Sequence, residues 1–121
     1  VTGEGNSTTT NLQQGLAKGF AAFNQSSVTD SYNHSSVTDV GTGNYHPQLT
    51  NNMSVAEGYA VAISGNEDSG TGPKSDRITH MERSTASVNT SNYKIVANDL
   101  VSTFTERDMG LVTASIVGDL A

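Results

Sequence analysis

The sequence predicts an all-β fold, an antiparallel β-sandwich of jelly-roll-like form with about seven to eight short strands. Three observations predict it. Ser, Thr and Asn supply 41 of the 121 residues, and these side chains favour strands or turns over helix interiors, because Thr is stiff at χ1 while Ser and Asn compete for backbone hydrogen bonds. Short runs of apolar and polar residues in alternation recur between Gly-, Asn- and Asp-rich turn signals, the pattern of a sandwich. Leu, Ile, Val and Phe together number only 24, so the core is thin and spread over many small elements.

That thinness has a consequence. A domain of this size buries a modest fraction of its surface and gains little stability per residue. With no Cys, neither a disulfide framework nor a thiolate zinc site can staple it. Association with further copies is the expected remedy. Twelve acids against six bases give a net charge of −6, which repels phosphate backbones and anionic lipid surfaces, so nucleic acid is not an expected partner. No apolar run approaches the ~18–20 residues of a membrane helix, so membrane insertion is not expected either.

Residues 1–11 hold almost no apolar side chain and read as an extended amino-terminal arm or linker, with residues 12–121 forming the sandwich domain. The chain starts at Val1 rather than Met, which predicts a processed product or a piece of something longer. Leu12, Leu16, Phe20 and Phe23 are spaced as on one face of a helix, with Asn11 as a possible cap. The alternative is a turn at 12–15 followed by a strand over 17–24. Gly15 and Gly19 would each cost a helix about 1 kcal/mol, which favours the strand.

The stretch SSVTDSYNHSSVTDVGTGNY, residues 26–45, writes Ser-Ser-Val-Thr-Asp twice. Two copies do not make a solenoid, which needs about three units to bury a continuous core. Val28 and Val37 mark positions that meet the core, while Asp30 and Asp39 close elements into turns by bonding their own backbone. Strands are predicted over 31–37 and 44–50, joined by a hairpin loop at 40–43 whose two glycines tolerate positive φ. Pro47 has no N–H to give a ladder, which predicts an edge position or a bulge for the second strand. Residues 58–64 are apolar on both faces and predict a central strand. Residues 78–83 and 93–97 follow as strands. Residues 110–120 are again apolar on both faces and predict a strand buried on both sides.

Three segments taken together, TTTNLQQGLAKGF, SSVTDVGTGNY and ASIVGDLA, resemble the C-terminal domain of tail-fibre-like or minor virion structural proteins of marine phages, of the cyanophage type. The likeness spans nearly the whole chain. Departures are Phe20 where the family carries Trp, Val117 where it often has His, and residues 25–30 in place of a short Asn-Gly loop. The resemblance implies a homotrimeric domain of a capsid decoration, head-fibre or tail-fibre protein on the virion surface, without enzymatic activity. Its implied partners are further copies of itself and, through the arm, other virion proteins.

Candidate sites are few. Residues 66–76 contain no apolar side chain, and loops on a rigid sandwich carry function. This makes Asn66, Glu67, Asp68, Ser69, Thr71, Lys74 and Asp76 a possible receptor-contact loop for a host surface glycan or protein. Glu67, Asp68 and Asp76 offer the hard oxygens that Ca²⁺ accepts, but without the register of a calcium loop. His34, His46 and His80 lack ligand spacing, so they read as structural or solvent-exposed, and no metal or other cofactor is expected. No Gly-x-Ser-x-Gly elbow or phosphate loop is present, so no catalytic residue is assigned. Tyr32, Tyr45, Tyr59 and Tyr93 are expected in the core, Tyr59 above all, rather than stacked on sugars.

Overall fold

Thr, Val and Tyr in alternation with small polar residues form strands wherever a hairpin or a second sheet can take up their backbone bonds. The computed structural model describes residues 16–25, 27–67, 77–82, 88–99 and 105–121. Eight strands are described: β1 Ala17–Asn24, β2 Ser27–Tyr32, β3 His34–Gly41, β4 Asn44–Leu49, β5 Ala60–Glu67, β6 Arg77–Glu82, β7 Lys94–Asp99 and β8 Met109–Val117. They form two antiparallel four-stranded sheets, ordered β2-β1-β8-β5 and β3-β4-β7-β6. No helix occurs among the described residues.

The predicted β-sandwich is therefore what the chain forms, and the strand reading of residues 17–24 holds over the helical one. Between the sheets lie Phe23, Tyr45, Tyr93, Ile95, Val112 and Ile116, all fully buried. Phe23 of one sheet meets Tyr45 of the other edge to face at 5.5 Å, a preferred geometry for aromatic pairs. The Tyr45 hydroxyl then accepts from the Met109 N–H at 2.9 Å, fastening the start of β8. Tyr59, 4% exposed, is a core residue as expected, and its hydroxyl donates to the Asn89 and Asn92 carbonyls.

Five local expectations are corrected. Residues 31–37 are not one strand. Asn33 adopts φ 56°, the left-handed region that Asn tolerates, and there the chain leaves β2 of one sheet and enters β3 of the other. Of the duplicated pentapeptide, Val37 is buried and Val28 half-buried, but only Asp39 closes a turn, accepting from the Gly41 N–H at 3.0 Å. Asp30 lies within β2 opposite Ala22.

Pro47 does not mark an edge. β4 is an inner strand, yet its ladder with β7 covers only Asn44 and Tyr45. The pairing resumes in the same register at Gln48 and Asn92, and Pro47 just before it accepts from the Tyr93 N–H at 3.4 Å, so an inner strand tolerates the proline by omitting the one reciprocal ladder bond it cannot donate.

The segment over 58–64 is not central. It becomes β5, an edge strand paired with β8 alone. Val61 and Ile63 point inward and pack on the core, whereas Ala60 and Ala62 point outward and stay exposed. Nor is β8 buried on both faces. Val112, Ala114 and Ile116 are buried, but Leu111 and Val117 on its other side are 39% and 41% exposed. The double-sided apolar pattern of both strands reflects an apolar surface inside the sandwich and a mixed one outside it, where Ala60, Ala62, Leu111 and Val117 alternate with Ser and Thr along the ladder.

Candidate functional site: the outer face of the first sheet

Among the described residues, the sites the sequence offers are not drawn together. Asn66 is exposed near the end of β5 and Glu67 is that strand's last residue, while Asp68, Ser69, Thr71, Lys74 and Asp76 lie outside the described residues. His34 is buried at the start of β3, His46 is half-buried on β4, and His80 is exposed on β6. Among the described residues no three His, Asp or Glu side chains gather as a metal group would require. His46 is held below the ordinary imidazole range, first by burial and then by the Lys94 ammonium.

The feature the sequence reading missed is the outer face of the β2-β1-β8-β5 sheet. Side chains alternate along a strand, and register settles which ones face out. Phe20 pairs with Tyr32 and Ser115, and Ala22 with Asp30 and Thr113. Ala62 pairs with Ser115, and Ser64 with Thr113. None of these outward residues is buried, and Tyr32 is 61% exposed. Three of the four tyrosines are core residues as expected; Tyr32 is the exception.

This face is nearly free of charge. Among the described residues that register turns outward on it, Asp30 is the single formal charge. Lys18, in the bulge between Ala17 and Gly19, is 7% exposed and does not project from it. The outer face of the other sheet differs. There His46, Lys94 and Glu82 follow one another across β4, β7 and β6, and Lys94 pairs with Glu82. A chain of net charge −6 thus places one formal charge among the described outward residues of this face.

The face is also relieved rather than flat. Small residues on β5 and β8 leave a hollow of about 250 Å³, framed by Phe20, Ala62, Ser64, Thr113 and Ser115. A second, more open hollow of about 480 Å³ lies where β5 begins and β8 ends, beside Ala60, Val117 and Gly118, with Glu57 and Asp119 at its rim. No nucleophile, base and orienting group converge in either hollow. What the first offers chemically is apolar contact and a few hydroxyls, which suits a packed side chain.

No protein-family model matches the chain, and no curated protein matches it. Among solved structures it is similar in fold to the phiAB6 tailspike, crystallised in complex with three-repeated oligosaccharides of Acinetobacter baumannii surface polysaccharide. The TM-score is 0.54 at 16% identity, over 83% of this chain and 20% of the tailspike chain. This chain spans about a fifth of the tailspike's length. At this identity the likeness is one of fold.

Proposed function

We infer that the chain is an oligomeric β-sandwich domain of a phage virion protein, a capsid decoration, head-fibre or tail-fibre domain assembled about a threefold axis. The observation that carries this reading is the nearly uncharged, partly apolar outer face of the first sheet. A sheet face with exposed Tyr32, Leu111 and Val117 and little charge suits an interaction surface, and the thin core predicted from composition gains most from sharing one. The fold similarity to part of a phage tailspike supports the phage assignment, as does the resemblance of the three sequence segments to marine phage virion proteins. The work such a domain does is mechanical, a rigid body set on the particle by its amino-terminal arm. A cryo-EM reconstruction of the intact particle, fitted with this sandwich, tests it. Density for the domain in threefold clusters on head or tail is expected, and a particle that lacks the chain would end the reading.

A second reading makes the domain an adhesin at a fibre tip. It is favoured by one observation, that the tailspike of similar fold is a complex with bacterial surface oligosaccharides. Residues 66–76, leaving the end of β5, are then the contact loop. Deleting 68–76 abolishes binding to host cells on this reading. Binding that survives the deletion would remove the loop from it.

A further inference from the structure

We propose that a second copy of this chain docks on the outer face of the β2-β1-β8-β5 sheet, with its Tyr32 seated in the hollow framed by Phe20, Ala62, Ser64, Thr113 and Ser115. This rests on the reading of the chain as an oligomeric body and names the surface and the anchor.

The partner's chemistry follows from charge. An anionic partner would need bases on this face and a cationic one would need acids, but the face presents Asp30 alone among its described outward residues. Two chains of charge −6 repel one another least when the surfaces that meet carry the fewest acids. The other sheet's ion pair of Lys94 and Glu82 would have to be desolvated in any close contact, at a cost Coulomb attraction need not repay. On the first sheet Asp30 alone among the described outward residues meets such a cost, and it lies on the edge strand β2.

Size agrees. Four strands ~4.8 Å apart and about eight residues of ~3.3 Å rise outline roughly 500 Å² in flat projection. Relief and projecting side chains raise the accessible area toward the ~600–1,000 Å² per partner of a standard interface. The anchor is of the expected type. Tyr32 is 61% exposed, and tyrosines buried in pockets at the centre of interfaces carry much of the binding energy. It lies on β2, at one edge of the sheet, while the hollow lies between β8 and β5 toward the other edge. Knob and hole are therefore separated on each copy, and a knob of one fills the hole of the next. Such head-to-tail contacts close into a ring when the rotation from copy to copy is a whole fraction of a turn, a third for a trimer.

The sequence carries the same signal. The outer sides of β5 and β8 place Ala60, Ala62, Leu111 and Val117 toward solvent in the single chain among Ser64, Thr113 and Ser115, and a second copy would cover those apolar side chains.

Sedimentation of the full chain and three variants tests this. Ala62→Glu places an acid in the hollow, Tyr32→Ala removes the anchor without touching the core, and Thr38→Glu places an acid on the exposed outer side of the other sheet. Circular dichroism checks that each variant is folded. The proposal expects an assembled wild type and an assembled Thr38→Glu, with Ala62→Glu dissociated and Tyr32→Ala weakened by about tenfold or more in association constant. An assembled wild type whose Tyr32→Ala variant associates equally well overturns the proposed face while leaving the oligomeric reading intact. A monomeric wild type overturns both.

Discussion

The imidazole Nε2 of His34 lies 2.8 Å from the Tyr93 hydroxyl oxygen, inside the sandwich. Its Nδ1 is 3.1 Å from the Tyr32 carbonyl, which can only accept, so Nδ1 carries the proton and Nε2 accepts from the phenol. Burial, the largest influence, holds the His34 pKa below its ordinary 6.5. In the unfolded chain the imidazole titrates near 6.5, so below that pH the unfolded state binds more protons. The stability contributed by neutral His34 is therefore complete above pH 6.5 and is lost progressively as pH falls from 6.5 toward the folded pKa. His46, shifted in the same direction, adds to the slope. Urea unfolding is expected to show a lower midpoint at pH 5.5 than at pH 7.5, and equal midpoints would contradict this.

Tyr93→Phe keeps the buried ring and removes the hydroxyl that donates to Nε2. A buried acceptor left without its donor costs about 1–3 kcal/mol. Chemical denaturation of the variant at pH 7.5 should show a loss in that range, whereas Tyr32→Phe, on the exposed face, should be close to neutral. Equal effects from the two would contradict the account.

Asn33 joins the two sheets by conformation and by hydrogen bonding. Besides its φ of 56°, its Nδ2 donates to the Lys18 carbonyl at 2.8 Å and its Oδ1 accepts from the Asn51 N–H at 2.7 Å. Asn33→Ala loses these bonds and adds left-handed strain, together about 2–4 kcal/mol. Asn33→Gly loses the bonds but not the conformation. Glycine is expected to destabilise less than alanine by about 1 kcal/mol, and the reverse order in a thermal melt would refute the backbone argument.

Gly43 is held at φ +68°, where an added Cβ would fall 2.6 Å from the Ala97 carbonyl oxygen and 2.7 Å from the Arg107 nitrogen. These are backbone atoms and cannot rotate away. The same glycine accepts from the Ala97 N–H at 2.8 Å and donates to Asp108 at 2.7 Å, so β4, β7 and the approach to β8 converge on it. Gly43→Ala should cost about 3 kcal/mol or more, since overpacking and positive φ act together. A melting temperature within about 2 °C of the parent would show that the turn can shift.

Much of the fold was legible because strands of this chain announce themselves locally. The alternation of Tyr45, Pro47 and Leu49, the glycines of the 40–43 turn and the β-rich ends of 17–24 each point to an element without reference to any other. Strand position within a sheet is not local. Pro47 forbids a ladder bond, but an inner strand that omits that one bond and resumes pairing at Gln48 accommodates it as well as an edge does. The break at Asn33 hides in a polar run, since only Asn among its neighbours tolerates the left-handed φ and nothing demands that it use it. The outer face was visible and misread: apolar residues on both sides of 58–64 and 110–120 suggested strands covered twice within one chain. Ala60, Ala62, Leu111 and Val117 instead lie on a surface that a single sandwich leaves open.

The central claim, that the chain becomes a rigid body by covering this face with its own copies, is tested most directly by its mass in solution. Sedimentation equilibrium of the unmodified chain, followed through serial dilution at physiological salt, is predicted to give three times the 12.6 kDa of one chain, falling only at the lowest concentrations. A folded species of 12.6 kDa at every concentration would contradict it.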